Sequence, residues 1–332
     1  MNQLGTGIAI TGSGSATPDV VLDNHQLSQI VETSDEWIAT RTGIRQRCLA
    51  DAQASLSGLA AEAAKRAIAM AGVEPEALQL IILATSTPDD LFGTASQIQA
   101  LLGASNAVAF DLTAACSGFV FGLVTAAQFI RTGVYQNILL IGADMLSRWL
   151  DWSDRGTCVL FGDGAGAVML QASSRDRLLG FQIRSDGSQN KCLQLAYKPQ
   201  TQELVKGIEV GQGNFASITM NGKEVYRFAV QKVPKVIEKA LFQANLTAED
   251  IDWLLLHQAN QRILDAVAQR LKIPSHKVLS NLSQYGNTSA ASIPLILDEA
   301  VRSGKIQPGD IIASSGFGAG LTWGAAIFEW GR

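Results

Sequence analysis

Ala71-Gly-Val-Glu-Pro-Glu76-Ala-Leu-Gln-Leu-Ile-Ile-Leu83 and Ala244-Asn-Leu-Thr-Ala-Glu249-Asp-Ile-Asp-Trp-Leu-Leu-Leu256 run in step at an offset of 173 residues, identical at the alanine, at Glu76 and Glu249, and at the final leucine. Each stretch reads as a helix end, an acidic turn and a continuous apolar strand of the kind buried on both faces. A second pair follows in the same order, Arg131-Thr-Gly133-Val-Tyr-Gln136 against Arg302-Ser-Gly304-Lys-Ile-Gln307, at an offset of 171. With the similar order of strands and helices around them, the two matches indicate an internal duplication of one α/β unit. The boundary falls near residue 175, in the polar run Ser173-Ser-Arg-Asp-Arg177, giving halves 1–175 and 176–332.

Outward from these repeats, the first half reads as a strand from Gly5 to Ser15, a short helix through Glu32 capped by Asp23 or Asn24, and a helix opened by Ser34 and closed by Gly43. An alanine-rich helix then runs from Ser55 to Ala71, followed by strands at Leu80–Ala84, Ala107–Leu112, Gln136–Gly142 and Gly164–Leu170. The second half reads as strands at Leu179–Ser185, Trp253–Leu256, Val278–Leu282, Asp310–Ser315 and Thr322–Trp330. Its helices fall near Gly222–Phe242, Asn260–Leu271 and Ser289–Ser303.

The duplication directs attention to three strand ends. Cys116 lies between the strand ending at Leu112 and an apolar, proline-free helix from Gly118 to Thr132. A helix start offers unpaired N–H groups and the positive end of the macrodipole, so the expectation is a thiolate-favouring nucleophile; a buried cysteine serving only as a small hydrophobe is the plainer alternative. Cys116 precedes Gly133 by 17 residues and Asn287 precedes Gly304 by 17, so each is expected at the start of its half's central helix, the two side chains facing one another. His257 follows the strand Trp253–Leu256 at a carboxyl end, where α/β sheets bind ligands. Taken singly, a core histidine and a turn asparagine are at least as natural; the convergence of Cys, His and Asn favours catalysis. Gly316-Phe-Gly-Ala-Gly320 is a backbone-exposing loop suited to donating N–H groups to an oxyanion.

Composition narrows the classes. Of the 332 residues 47% are hydrophobic and 17% charged, which favours a large dry core over disorder, and a net charge of −4 leaves no basic field for nucleic acid. The four cysteines (48, 116, 158, 192) and three histidines (25, 257, 276) show no zinc or disulfide spacing, so no metal and no cofactor are expected. Met1-Asn-Gln-Leu-Gly carries no basic leader and no apolar run reaches about 20 residues, so a cytoplasmic protein away from membranes is expected. Gly162-Asp-Gly-Ala-Gly166 and the Gly316 loop precede strand-like residues, which excludes a dinucleotide fingerprint, since that needs a following helix. Trp37 and Arg41 share a helix face, suited to an adenine and a phosphate. Lys223, Arg227 and Arg262 form a candidate basic patch at the same opening, although each is equally at home on a solvated surface.

Ala114-Ala-Cys116-Ser-Gly-Phe119, His257-Gln-Ala-Asn260 and Gly286-Asn287-Thr-Ser289 resemble the thiolase-superfamily condensing enzymes, and most closely the β-ketoacyl-acyl carrier protein synthase III family. Thr33-Ser-Asp-Glu-Trp37-Ile-Ala-Thr-Arg41, Asp154-Arg155-Gly156, Phe161-Gly-Asp-Gly-Ala-Gly166, Met220-Asn-Gly222 and Gly316-Phe-Gly-Ala-Gly-Leu-Thr-Trp323 belong to the same pattern, which covers essentially the whole chain. The resemblance implies a five-layered α-β-α-β-α thiolase-like fold, a homodimer, and acetyl-CoA and an acyl carrier protein as partners. It implies that Cys116 takes an acetyl group, and that His257 and Asn287 stabilise the enolate left when a malonyl thioester loses carbon dioxide. The N–H groups of Cys116 and Ala319 would form the oxyanion hole. Trp37 and Arg155 would hold the CoA adenine, Arg41 would sit near its phosphates, and Asn260 would line the pantetheine channel. Phe317 and Phe92 would shape the acyl pocket, Phe92 from the partner subunit, while Arg262, Arg227 and Lys223 would dock the carrier protein. Ala319 stands where many relatives have glycine and Arg227 where lysine is common. Three alternatives remain: a ketosynthase of secondary metabolism, a Cys-His-Asn acyl hydrolase, and a non-catalytic carrier-binding module that kept the fold.

Overall fold

The computed structural model describes residues 6–331; the N-terminal leader reading and the expected strand start at Gly5 fall outside them. Strand β1 (Gly7–Ala16) begins the described chain, followed by helices α1 (Asp35–Thr42) and α2 (Leu56–Ala71) and strand β2 (Leu80–Ala84). Helix α3 (Ala95–Leu102), strand β3 (Val108–Leu112), helix α4 (Gly118–Arg131) and strands β4 (Asn137–Met145) and β5 (Asp163–Ser173) complete this set. They form one sheet in the order β1-β5-β4-β2-β3, parallel at β4-β2-β3 and antiparallel at β1-β5 and β5-β4. Strand β6 (Leu178–Ser185), helix α5 (Gly222–Ala244), strand β7 (Trp253–Leu256), helices α6 (Gln261–Leu271) and α7 (Ser292–Arg302), and strands β8 (Ile311–Gly318) and β9 (Thr322–Glu329) follow. Their sheet runs β7-β8-β9-β6, parallel at β7-β8 and antiparallel elsewhere. A parallel bridge from Leu254 to Val278 stands where the first sheet has its edge strand β3. The two sheets therefore share one topology.

Alternation along the strands sets the layers. Leu80 and Ile82 of β2 face a core shared with α4, α7 and the second sheet's Leu255 and Ile312. Ile81 and Leu83 face the opposite way, onto the alanine stripe of α2 and onto α3. Leu254 and Leu256 of β7 pack against α5 and α6. The order is helices, sheet, helices, sheet, helices, the five-layered α-β-α-β-α arrangement expected. Helix α4 carries only Thr125 and Gln128 as polar residues before Arg131 and buries most of the rest, as a helix between two sheets must. Each Leu, Ile or Phe buried there contributes about 1.5–3 kcal/mol. Helix α7 carries one buried acid, Asp298, which accepts from the hydroxyls of Ser13 and Ser15 and from Arg302.

Several local expectations change. The strand expected at Val278–Leu282 is the single bridge at Val278, because Leu282–Tyr285 turns into a short helix. The helix expected through Glu32 is one turn, Asn24–Leu27, opened by a capping box between Asp23 and Gln26 and closed at Ser28. A hairpin of strands Tyr197–Val205 and Ile208–Phe215, nearly all exposed, was not anticipated. Its polar alternation buries little and leaves no core pattern to read.

Candidate active site

Cys116 sits in the one-turn segment Ala115–Ser117 that joins β3 to α4, and its counterpart in the second half is the turn Ser289–Ala291 before α7. The two turns share an unusual backbone, with φ of 46° at Ala115 and 51° at Ser289, a left-handed conformation that side chains rarely adopt and that marks strain held by its surroundings. The alignment of the turns revises the expectation for Asn287. Ala290, not Asn287, stands opposite Cys116 in the repeat. Helix α7 has 11 residues against 14 in α4, so counting back from the two glycines overshoots by nearly a turn. Asn287 lies in the preceding loop, bridged to Phe161, with its backbone N–H donating to Leu160 at 2.9 Å.

The carboxyl end of β8, where a loop is expected from Gly316, continues as strand to Gly318 and lies directly against the cysteine. A side chain on Gly318 would come within 3.1 Å of Cys116 Sγ, and one on Gly316 within 2.9 Å of Ser117 Cα, so only glycine allows this approach. His257 follows β7, donates its backbone N–H to Ser315 O at 2.8 Å, and packs edge-on to Phe317 at 5.3 Å between centroids. Cys116, His257, Asn287, Phe317 and Gly318 line one cleft of about 1350 Å³, so the three candidate catalytic side chains meet as expected.

Ser289 links all three. Its N–H donates to Asn287 Oδ1 at 2.9 Å, which fixes the amide and leaves Nδ2 as the donor end. Its hydroxyl donates to Cys116 Sγ at 3.3 Å. Its carbonyl accepts from the Ser292 hydroxyl at 2.8 Å, and that hydroxyl lies 2.7 Å from His257 Nδ1. Burial pushes the His257 imidazole down to about 3, only partly opposed by a hydrogen bond to the Ser289 backbone, so the ring is neutral near pH 7. Cys116 departs from expectation. Burial pushes its thiol up to about 12; the Ser289 hydrogen bond opposes this, and the nearby charge of Asp144 adds to it. The helix start does not outweigh desolvation, and the resting sulfur is a thiol.

The outer cleft is basic and aromatic. Arg41 and Arg155 lie 4.6 and 4.7 Å from the centre of the Trp37 ring, so both guanidinium groups already stack on the indole. Arg155 also donates to Glu32 O at 2.9 Å. Asn260 caps α6: its Oδ1 accepts from Arg262 N at 2.9 Å and its Nδ2 donates to Arg41 O at 3.0 Å. Lys223, Arg227 and Arg262 are exposed at the rim, Arg227 paired with Glu224 and Arg262 donating to Thr40 O at 3.0 Å. A second cavity of about 90 Å³ lies behind the cysteine, lined by Leu146, Phe161, Leu195, Ile218, Ser289 and Ala319 among others. Phe92 lines neither space; it is fully exposed beside Leu91. Among the described residues no group of three or more His, Cys, Asp or Glu side chains could hold a metal ion, and no helix is long and apolar enough to cross a membrane.

Asp144, Ser289 and Ser292 did not stand out from the sequence. An acid inside the apolar run Ile138–Met145 was the available signal for the first. Ser289 was visible as the last residue of Gly286-Asn287-Thr-Ser289 and the expected start of a helix, with no role of its own.

Comparison with known proteins places this geometry. A "Beta-ketoacyl-[acyl-carrier-protein] synthase III" of Trichormus variabilis is 73% identical over 326 residues, covering 98% of this chain and 99% of that protein. The chain belongs to the β-ketoacyl-acyl carrier protein synthase III family. The family models described as 3-oxoacyl-[acyl-carrier-protein] synthase III and its C-terminal part match residues 110–187 and 241–330. Among solved structures, the 3-oxoacyl-[acyl-carrier-protein] synthase III of Aquifex aeolicus superposes with a TM-score of 0.90 at 43% identity, covering 98% of this chain and all of that one. The priming β-ketosynthase of the R1128 polyketide biosynthetic pathway gives 0.91 at 33%, covering 99% of this chain and 97% of that one. The chain is thus an acyl-transferring condensing enzyme with the family's thiolase-like fold.

Proposed function

We propose that the cleft joins an acetyl group from acetyl-CoA to the malonyl thioester of an acyl carrier protein, giving a 3-ketoacyl thioester and initiating fatty-acid synthesis. The observation that carries the reading is the meeting of Cys116, His257 and Asn287 in one deep cleft with a basic mouth. Cys116 Sγ attacks the acetyl thioester carbonyl, CoA leaves as its thiol, and an acetyl-Cys116 thioester remains. The exchange is nearly balanced in energy, because one thioester replaces another. Malonyl thioester then enters. Loss of carbon dioxide leaves an enolate whose oxygen meets two donors, neutral His257 and the Asn287 amide. Decarboxylation removes no proton, so the site needs donors and not a base. The enolate carbon attacks the acetyl carbonyl, Cys116 Sγ departs, and the N–H groups of Cys116 and Ala319 receive the tetrahedral oxyanion.

In the same reading, the Trp37 ring with Arg155 holds the CoA adenine, which must insert where a guanidinium now stacks. Arg41 meets the phosphates, and Asn260 borders the pantetheine arm while capping α6. Phe317 and the 90 Å³ cavity receive the acyl chain. Exposed Phe92 fits a role at a second copy's pocket in a homodimer. The carrier protein docks at Lys223, Arg227 and Arg262. The two sheets fit a duplication with its boundary near residue 175, no dissociable cofactor is called on, and the four unpaired cysteines fit a reducing cytoplasm. The likeness to the R1128 priming enzyme makes polyketide priming the second reading, which differs in the primer and not in the chemistry.

Intact-mass measurement after mixing with acetyl-CoA tests the first step. An acetyl adduct is expected on wild type and not on Cys116→Ser, since a serine hydroxyl is far less acidic than a thiol. An adduct on Cys48, Cys158 or Cys192 overturns the assignment. Adding malonyl-acyl carrier protein to acetylated enzyme should release carbon dioxide and a 3-ketobutyryl carrier; free acetate as the main product would point to a hydrolase.

A further inference from the structure

Asp144 has no part in the chemistry so far, yet it is built with care. It is the penultimate residue of the apolar strand β4, fully buried beneath the catalytic turn. Its Oδ1 accepts from the hydroxyls of Thr85 and Thr87 at 3.1 Å and from Ser86 N at 2.8 Å, and its Oδ2 accepts from Ala290 N at 3.1 Å. The Ser289 hydroxyl also bonds this carboxylate. The hydroxyls of Thr85 and Thr87 are themselves oriented, the first accepting from Thr87 N at 3.1 Å and the second from Met145 N at 2.8 Å, so both turn their protons toward Asp144. Four donors and no acceptor surround it, with the Ser289 hydroxyl a fifth when its one proton turns from Cys116 Sγ, which is the environment of an anion. Among the described residues it takes part in no ion pair. Its charge acts on the Cys116 thiol, disfavouring the thiolate.

A lone buried anion beside a nucleophilic thiol is counterproductive as a fixed charge, because it disfavours the thiolate that must attack. It is useful if it takes the proton. The Ser289 hydroxyl reaches both groups, 3.3 Å from Cys116 Sγ and within hydrogen-bonding reach of Asp144, its one proton serving one of them at a time, and its left-handed backbone holds it between them. His257 is turned to Ser292 through Nδ1.

We propose that Ser289 and Asp144 form a proton relay for Cys116, Ser289 touching the reacting sulfur and Asp144 acting through it. With the Ser289 hydroxyl turned from Sγ toward Asp144, the S–H proton passes to Ser289 Oγ as Sγ attacks the acetyl carbonyl, while the Ser289 proton passes to Asp144. The S–H bond breaks, the S–C bond forms, and Asp144 becomes neutral. When the tetrahedral intermediate collapses, the C–S bond to CoA breaks and the proton returns by the same route to the departing sulfur. The net change is one thioester exchanged for another, with no proton gained or lost. Burial pushes the Asp144 carboxyl above its ordinary range, against the hydrogen bonds that lower it, which makes it a stronger proton acceptor than a surface carboxylate.

The proposal rests on Cys116 as the acyl acceptor, which the intact-mass adduct on wild type checks separately. The test of the relay is the single-turnover rate of acetylation by acetyl-CoA from about pH 6 to about pH 9, for wild type, Asp144→Asn, Ser289→Ala and the double variant. Wild type should vary little with pH. Each single variant should be slower by about 10²-fold or more near neutrality and should recover about tenfold per pH unit as hydroxide replaces the relay. The double variant should be no slower than the worse single one, because the two residues serve one path. Ser289→Ala keeps the test open should Asp144→Asn fold poorly, since Ala115 already shows that alanine takes this backbone. If Asp144 acts only as a fixed charge, Asp144→Asn will acetylate as fast as wild type or faster, and the relay is overturned. Losses that multiply in the double variant, or a slower rate with an unchanged pH profile, overturn it equally.

Discussion

Ser292 Oγ stands 2.7 Å from Nδ1 of His257, so the imidazole nitrogen left for the cleft is Nε2. An enolate needs Nε2 to carry a proton, and a neutral ring then needs a donor at Nδ1. Ser292 becomes that donor when its single proton turns from Ser289 O, 2.8 Å away, to Nδ1, while its oxygen accepts from Gln258 N–H at 3.3 Å. Ser292→Ala should leave acetylation of Cys116 near wild type and slow malonyl decarboxylation about tenfold through loss of tautomer control. His257→Ala or Asn287→Ala should cost about 10²–10³ in the same step and also spare acetylation. Separate assays of acetyl transfer and carbon dioxide release check this; acetylation lost with decarboxylation kept would reverse the assigned roles.

The low position of His257, about 3, has a consequence for pH dependence. A ring that stays neutral down to that point donates equally well across the whole neutral range. Decarboxylation of a malonyl thioester should therefore show no inflection near pH 6.5, where an exposed histidine titrates. Stability responds in the opposite sense to a histidine that gains a partner. The unfolded chain binds a proton near pH 6.5 that the folded chain refuses until about pH 3, so this residue's contribution is present above pH 6.5 and lost as pH falls toward 3. A rate limb near pH 6.5, with the protein still folded by circular dichroism, would contradict the buried neutral ring.

The architecture was readable in the sequence because it rests on burial patterns: the repeat at Leu80–Leu83 and Trp253–Leu256, and the largely apolar α4, report layers directly. The three reacting side chains were readable because strand ends collect them. What the sequence hid depends on relations between distant residues. Asn287 was placed at the wrong point of the repeat because α7 is shorter than α4, and helix length cannot be counted from glycines alone. The thiol state of Cys116 depends on its burial and on Asp144, a residue 28 positions away that only the fold brings beneath it. The hairpin at Tyr197–Phe215 buries no stripe, so its alternation carries no core signal.

The cavity behind Cys116 sets a limit on the primer. At about 90 Å³ it holds the volume of about three waters, enough for acetyl and a few further carbons. Leu195→Ala removes side-chain volume from its half-buried wall and should raise kcat/KM for hexanoyl-CoA relative to acetyl-CoA by roughly tenfold, since each added methylene can gain up to about 1 kcal/mol of burial. Competition between acyl-CoA primers for Cys116, read by intact mass, measures the shift. An unchanged ratio would mean that the chain lies elsewhere in the cleft.

Docking of an acidic carrier on a chain of net charge −4 requires local attraction, and the rim offers three cations of different attachment. Lys223 and Arg227 stand on the exposed start of α5, Arg227 held only by its neighbour Glu224. Arg262 is tied to Thr40 O, in the helix that carries Trp37 and Arg41. Lys223→Glu and Arg227→Glu should therefore lower kcat/KM for malonyl-acyl carrier protein, more at low than at moderate salt, because reversed charge slows association and salt screens it. Neither should change acetyl transfer from acetyl-CoA by more than a small factor. Arg262→Glu should weaken both, since it also releases the anchor of the CoA-facing helix. Arg262→Gln separates its two roles: a neutral side chain puts no reversed charge beside the CoA-facing helix, so CoA use should recover while carrier use stays low. Equal recovery of both would make Arg262 a structural tie and leave docking to α5.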